Sequence, residues 1–259
     1  WLSEIMLQQT QVSTVIPYYE RFLERFPSIA ELATAPLETV LGLWSGLGYY
    51  ARARNLHRCA QVLVAEHGGA FPKEPEHIAE LPGIGRSTAA AIAVFAFGRR
   101  AAILDGNVKR VLARCFSIDG FPGSAASEKV FWQFAEALLP LTGIEAYTQG
   151  LMDLGATLCT RANYACAICP MSDICVARRE GRQGELPAAR PRKVLPERET
   201  SLLLLTDGEH VLLERRPPTG IWGGLLSLPE GDTATADEFA RRHGLRLLAT
   251  QPMAKLKHT

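Results

Sequence analysis

The sequence has no apolar run long enough to cross a membrane and no marked excess of charge of one sign. No run reaches the roughly 18–20 residues of a membrane span, and no positively charged leader precedes an apolar stretch. The formal net charge is +1 over 259 residues. These absences predict a protein with no membrane partner. Any nucleic-acid surface must be local, because the overall charge neither favours nor excludes such a ligand.

Cysteine is scarce outside one short run. Of six cysteines, four follow the spacing C-x6-C-x2-C-x5-C, namely Cys159, Cys166, Cys169 and Cys175. A disulfide framework is not expected in a chain this long without another cysteine-rich region, so the run predicts a metal centre. Zinc ribbons usually carry two tight C-x2-C pairs. The single tight pair here favours a 4Fe–4S cluster, with zinc or no metal as alternatives, and Cys59 and Cys115 are expected to be buried apolar residues.

Period-two alternation, the mark of half-buried strands, is nearly absent from residues 1–180. Apolar residues there recur every three or four positions, with Gly and Pro between the segments, which predicts a mainly α domain. The first segment, Trp1–Phe26, contains Pro17, where we expect an interruption. Further helices are predicted over Leu32–Leu43, Ala51–Glu66, Thr88–Phe97, Val108–Phe116, Ser127–Leu139 and Glu145–Leu158.

The pattern changes after residue 180. Residues 181–198 are rich in Pro, Gly and mixed charge, which predicts a linker, and residues 199–259 predict part of a smaller α+β domain. The elements expected there are a hairpin joining Leu202–Leu205 to Val211–Leu213 around Asp207-Gly208, a short helix over Asp237–His243 and a strand over Leu245–Ala249. Because the chain starts at Trp1 and stops at Thr259, we interpret it as a fragment with an incomplete second domain.

The segment LPGIGRSTA, residues 81–89, predicts a tight turn that opens into a helix. Gly83 and Gly85 allow the backbone to approach a ligand closely, and the N–H groups at the start of the next helix form an anion site. The turn is therefore a candidate grip on a phosphate. The plainer interpretation is an ordinary turn between two helices.

Two carboxyl groups lie in contexts that differ chemically. Asp105, in ILDGNVKRVLAR, precedes a helix, where an Asp is usually an N-cap and where the helix dipole favours its ionised form. Glu4, in WLSEIMLQQTQV, is either a surface residue or an acid whose pKa is raised by a partly apolar pocket. One protonated acid and one carboxylate form the pair that cleavage of a glycosidic bond needs.

Taken together, these motifs resemble the MutY-type adenine DNA glycosylases of the endonuclease III, or helix-hairpin-helix, superfamily. The matching stretches also include LWSGLGYYARARNL, MDLGATLCTR and WGGLLSLPE. The resemblance implies a mainly α helix-hairpin-helix glycosylase domain with an Fe–S cluster loop over residues 1–180, the linker 181–198, and a partial Nudix-like (MutT-like) domain over 199–259 that recognises 8-oxoguanine. It further implies a cytoplasmic, nucleoid-associated bacterial monomer that excises adenine opposite 8-oxoguanine or G in double-stranded DNA.

The resemblance also implies roles for single residues. Glu4 would protonate the adenine at N7, and Asp105 would stabilise the oxocarbenium ion, with support from Ser87, Asn107 and Gln149. DNA contacts are implied for Leu7, Gln9, Tyr49, Gly83, Gly85 and Arg86, and cluster ligation for Cys159, Cys166, Cys169 and Cys175. Packing in the core is the alternative interpretation of Tyr49.

Three other activities remain as alternatives. A bifunctional lyase of the endonuclease III type needs a Lys where Ser87 stands, and a hydroxyl cannot form a Schiff base; Lys109 is close in sequence but is assigned no catalytic role. A Nudix hydrolase needs glutamates where DEFARRHGL has Arg241 and Arg242. A non-catalytic Fe–S DNA-binding module would not need both carboxyls. The hairpin through which the family recognises 8-oxoguanine is expected directly after Lys257-His258-Thr259.

Overall fold

Helices form the first of the two units into which the chain divides. The computed structural model describes residues 1–191, 199–217, 220 and 223–256, and the units are Trp1–Arg192 and Lys193–Thr259. The helices of the first unit are α1 (Leu2–Leu7), α2 (Val12–Arg25), α3 (Ile29–Thr34), α4 (Leu37–Trp44), α5 (Ala51–His67), α6 (Pro75–Ala79), α7 (Arg86–Phe97), α8 (Gly106–Cys115), α9 (Ala125–Ala137), α10 (Ile144–Asp153) and α11 (Val176–Glu180). A π-helical turn, Leu154–Leu158, follows α10, and a 3₁₀ turn spans Cys166–Ile168. The prediction of a mainly helical domain is confirmed. Among the described helices, none is both long and apolar enough to cross a bilayer.

Two predicted helix boundaries were wrong. Pro17 lies inside α2, and the chain turns between α1 and α2 instead, where Gln9 adopts a left-handed conformation with φ +59°. The segment Leu32–Leu43 is two helices, because Ala35 precedes Pro36 and takes the extended conformation that proline imposes on its predecessor. Periodicity located the apolar face correctly but not the breaks.

The helical core has two parts that meet along α1 and α7. Helices α1 to α5 bury Trp44, Phe22 and Met6, and helices α7 to α10 bury a second set that includes Val94 and Phe131. Helix α1 packs against α5 and α7, and α7 also packs against α6 and α10. The hairpin helix α7 therefore lies at the centre of the unit.

The structure describes the first part of the expected linker, residues 181–191. Leu186 is 3% exposed, and its carbonyl accepts a hydrogen bond from Arg114 Nε at 2.9 Å. The segment around Leu186 thus packs on the helical unit, because its side chain and its carbonyl both find buried partners there. The remainder of the segment, 192–198, lies outside the described residues.

The second unit contains short strands and one helix. Strand β1 (Glu214–Arg215) pairs antiparallel with β2 (Leu226–Ser227), and α12 spans Ala236–Arg242. The predicted hairpin turn is present, since Thr206 bridges Val211 and Asp207 Oδ1 accepts hydrogen bonds from the N–H groups of the two residues that close the turn. The strand expected over Leu245–Ala249 is not formed; Leu245 N–H instead donates to Ala240 O at 2.9 Å and closes the end of α12.

Candidate active site

Glu4 lies on the short helix α1, whose Ile5 and Met6 are buried. The Glu4 side chain is half-buried. Burial raises the pKa of its carboxyl above the ordinary value of 4.5; the chain's amino terminus opposes this shift, and the negative charge of Asp105 adds to it. Glu4 is therefore a carboxyl group that holds its proton to higher pH than an exposed glutamate.

Asp105 is the N-cap of α8. Its Oδ1 accepts a hydrogen bond from Val108 N–H at 2.8 Å, which satisfies one of the free donors at the helix start. Ser87 fixes Leu104, the residue before Asp105, because the Ser87 hydroxyl accepts a hydrogen bond from Leu104 N–H at 2.9 Å. The hairpin helix thus positions the carboxyl-bearing turn.

The two glycines of the hairpin between α6 and α7 have different surroundings. Gly83 has φ +78°, and a Cβ there would lie 2.5 Å from Asn55 Cβ. Gly85, the N-cap of α7, has φ −88° and open space where its Cβ would be. The turn leaves the first N–H groups of the twelve-residue helix α7 suited to an anion. Both glycines are exposed.

Two basic side chains, one at the start of α7 and one on α8, bind helix α9. Arg86 forms an ion pair with Glu136, and its guanidinium lies 3.8 Å from the Trp132 ring centroid. Lys109 forms an ion pair with Glu128. The hairpin therefore exposes its backbone N–H groups to solvent, while both cations form ion pairs with acidic residues of α9.

Leu7 is the last residue of α1, Gln9 lies in the loop that follows it, and Tyr49 lies in the loop after α4. Gln9 is exposed, and Tyr49 is 63% exposed, so the packing interpretation of Tyr49 is wrong. Gln9 has φ +59° and Tyr49 φ +50°, a conformation that costs energy for side chains other than glycine. Arg52, which sequence reasoning did not select, joins these loops.

Asn107 and Gln149 are held by neighbours. Asn107 Oδ1 accepts a hydrogen bond from Arg110 Nη2 at 2.9 Å, and Gln149 Nε2 donates to Asp153 Oδ1 at 2.8 Å. Within the described part of the chain, the hydrogen bonds of these two side chains go to these partners and not to Asp105. Arg110 Nε also donates to Cys159 O at 2.7 Å, which links the Asp105 helix to the cysteine run.

The four clustered cysteines line one cavity beside α8 and α11. The other residues of its wall include Val111, Leu154 and Gln183. Within the described ranges, no three His, Cys, Asp or Glu side chains are grouped tightly enough to ligate one ion. A 4Fe–4S cluster takes one thiolate per iron, and the four thiols that line this cavity match that number. Burial raises the pKa of the Cys169 thiol, and the other three cysteines of the run add to this.

Arg114 braces the cysteine loop from α8. It is 2% exposed, and Nη1 donates to Thr160 O at 2.7 Å and to Cys159 Sγ at 3.3 Å. Its Nη2 donates to Arg161 O at 3.2 Å. A charge this buried requires several acceptors, and the loop carbonyls provide them. Cys59 and Cys115 are both buried, and burial raises the pKa of each thiol to about 12, so the prediction for these two cysteines is confirmed.

Comparison with known proteins identifies the family. The family model for HhH-GPD superfamily base excision DNA repair proteins matches residues 2–137. The chain belongs to the HhH-GPD superfamily. Adenine DNA glycosylase from Buchnera aphidicola subsp. Baizongia pistaciae is 42% identical over 231 residues, which are 89% of this chain and 65% of that protein. Adenine DNA glycosylase from B. aphidicola subsp. Schizaphis graminum is 37% identical over 90% of this chain and 67% of its own length.

These relatives confirm the resemblance to MutY-type adenine DNA glycosylases, and this HhH-GPD chain spans about two thirds of their length. Among solved structures, that of a thermostable thymine-DNA glycosylase superimposes with a TM-score of 0.62 at 30% identity. The superposition covers 68% of this chain and 82% of the thymine-DNA glycosylase chain. The helix-hairpin-helix glycosylase fold predicted for the helical part of the chain is thus confirmed.

Proposed function

We propose that this chain is a monofunctional DNA glycosylase that flips out and excises adenine mispaired with 8-oxoguanine or G. The observation that carries the proposal is a pair of unlike carboxyls beside the hairpin. Burial raises the pKa of Glu4, and Asp105 is fixed at the N-terminal end of α8, where the helix dipole favours a carboxylate. One acid and one carboxylate are the two groups that glycosidic cleavage requires.

Each carboxyl has one task in the proposed reaction. Adenine leaves poorly as an anion, so Glu4 transfers its proton to N7 and makes the base a neutral leaving group. Cleavage of the C1′–N9 bond places positive charge on the sugar, and Asp105 stabilises that charge. Water then adds at C1′, and the proton that it loses passes to the Glu4 carboxylate, which restores the acid. Ser87 acts on this step through Leu104 N–H, by holding the turn that carries Asp105, and Asn107 and Gln149 take supporting places around the sugar and the base.

Access to the adenine requires the duplex to open. A base inside the stack must be flipped out at a cost of a few kcal/mol. In the proposal, Gln9 and Tyr49 enter the stack from their two loops, with Leu7 beside them, and the exposed Tyr49 ring provides a stacking face. In the proposal, the N–H groups of the Gly83–Gly85 turn hold the DNA backbone, and the exposed Arg86 guanidinium adds a phosphate contact beside its ion pair with Glu136. Neither contact reads sequence.

The remaining parts have supporting functions in the proposal. Cys159, Cys166, Cys169 and Cys175 hold a 4Fe–4S cluster, which would order the loop and perform no chemistry on the DNA. The second unit contributes to recognition of 8-oxoguanine. It has no pyrophosphatase activity, since Arg241 and Arg242 occupy the last turn of α12, where a Nudix site places acids for Mg²⁺. The working protein is a monomer at the bacterial nucleoid.

Release of free adenine under single-turnover conditions tests the proposal. Duplexes carrying A opposite 8-oxoguanine and A opposite G should both lose adenine, without borohydride-trapped protein. Glu4→Gln should lose most release while binding DNA normally, and Glu20→Gln, at an exposed position on α2, should behave as the unmodified protein. Efficient trapping on thymine glycol DNA would indicate a lyase, and a lack of base release from either duplex would refute the assignment.

A further inference from the structure

The two loops expected to open the duplex are both held in an unfavourable backbone conformation. Gln9 and Tyr49 are two of only three non-glycine residues with positive φ in the described part of the chain. Such residues persist where their surroundings fix them, and they concentrate at functional sites. The loops are 40 residues apart in sequence, so any contact that fixes both of them must be tertiary.

One side chain provides this contact. The Arg52 guanidinium lies within hydrogen-bonding distance of acceptors from both loops. Nη1 faces the carbonyls of Ile5 (3.1 Å), Met6 (2.8 Å) and Gln8 (2.6 Å), while Nη2 faces Thr10 Oγ1 (3.1 Å) and the carbonyls of Leu47 and Gly48 (3.3 Å each). These acceptors lie on either side of Gln9 and directly before Tyr49.

The position of Arg52 is electrostatically unfavourable for its own helix and favourable for the two loops. It is the second residue of α5, where the positive end of the helix dipole disfavours a cation. The end of α1 presents free carbonyls with partial negative charge, and Arg52 binds three acceptors there. Its guanidinium carbon also lies 5.4 Å from the centroid of the Tyr49 ring. The charge of Arg52 therefore stabilises the two loops and not helix α5.

We propose that Arg52 is a positioning residue that presets the Gln9 and Tyr49 loops together, so that both enter the DNA stack without rearranging. This inference rests on the proposed function, because it assigns Arg52 to the opening of the duplex. Arg52 touches neither the reacting sugar nor the base in this proposal. Its loss should slow flipping and leave bond cleavage unchanged.

Arg52→Lys separates these steps, since lysine keeps the charge but its ammonium cannot bridge two loops with a planar fork. Adenine release from a fully paired duplex opposite G should fall roughly tenfold to a hundredfold, the scale of a positioning loss. Release from adenine in an unpaired bubble should stay near that of the unmodified protein, because little unstacking is needed. Arg58→Lys, at an exposed site on the same helix, should leave both rates unchanged.

An equal loss on both substrates, or no loss on either, would overturn the proposal. Unstacking of 2-aminopurine on binding provides a readout that needs no excision: its fluorescence gain should be smaller for Arg52→Lys, and an unchanged gain would contradict the inference even if no adenine were released. If Arg52→Lys unfolds, Thr10→Val removes one acceptor and should produce the same selective loss to a smaller extent. Failure of the unmodified protein to release adenine from either substrate would count against the proposed function alone.

Discussion

Asp105 has a structural and a chemical task, and two substitutions separate them. Its Oδ1 caps α8 through Val108 N–H at 2.8 Å, and in the proposed reaction its charge stabilises the sugar cation. Asparagine is as good an N-cap as aspartate but carries no charge. Asp105→Asn should therefore keep the cap and lose the chemistry, whereas Asp105→Ala should lose both.

The expected magnitudes differ enough to distinguish the two tasks. Loss of the cap in Asp105→Ala should lower the free energy of unfolding by about 1 kcal/mol. Asp105→Asn gives up only the charge–dipole attraction, about 0.3–1 kcal/mol. Removal of a preorganised charge from a developing ion lowers the rate roughly 10²–10³-fold, or about 2.7–4 kcal/mol. The loss of activity in Asp105→Asn should thus greatly exceed its loss of stability.

Single-turnover adenine release, DNA affinity and urea unfolding measured on the same preparations test this reasoning. Asp105→Asn should bind the mispaired duplex as tightly as the unmodified protein and unfold at nearly the same urea concentration. Near-normal adenine release by Asp105→Asn would show that Asp105 is only a helix cap. A large stability loss in Asp105→Asn would show that the cap depends on charge more than on the hydrogen bond.

Three further outcomes follow from the site. Gly83→Ala should lower the free energy of unfolding by about 1–3 kcal/mol through backbone strain and the contact with Asn55 Cβ. Gly85→Ala, at the N-cap of α7, should lower it by less than about 1 kcal/mol and weaken DNA binding. Arg114→Met should leave several buried carbonyls without donors, at about 1–3 kcal/mol each, and should bleach the absorbance of the proposed cluster; an unchanged melting curve and spectrum would refute this. Burial raises the folded-state pKa of Glu4 above 4.5, so the folded state binds more protons than the unfolded state. The contribution of Glu4 to stability is therefore full below pH 4.5 and is lost as pH rises through the raised pKa. Adenine release should fall over the same pH range, and Glu4→Gln should abolish this pH dependence of stability.

Much of the local structure followed from neighbouring residues. The helices α5 and α8 begin and end within two residues of the predicted segments, because an apolar face recurs every three or four positions and glycine ends α5. The cysteine spacing grouped four residues as one site, and their side chains line one cavity. The break placed at Pro17 was wrong, since a proline can be accommodated inside α2 while the chain turns at Gln9.

Sequence by itself determined the helical class, the family and the residue types of the site, since these depend on spacing and turn chemistry over a few residues. Tertiary structure alone decided the environment of those residues. Packing of α1 on α5 and α7 buries Glu4 and brings Arg52 to carbonyls 44 to 47 positions away in the chain. Burial and hydrogen bonds between distant residues arise only when helices pack together. For this reason the sequence motifs predicted the two carboxyls but not Arg52, which joins the two loops.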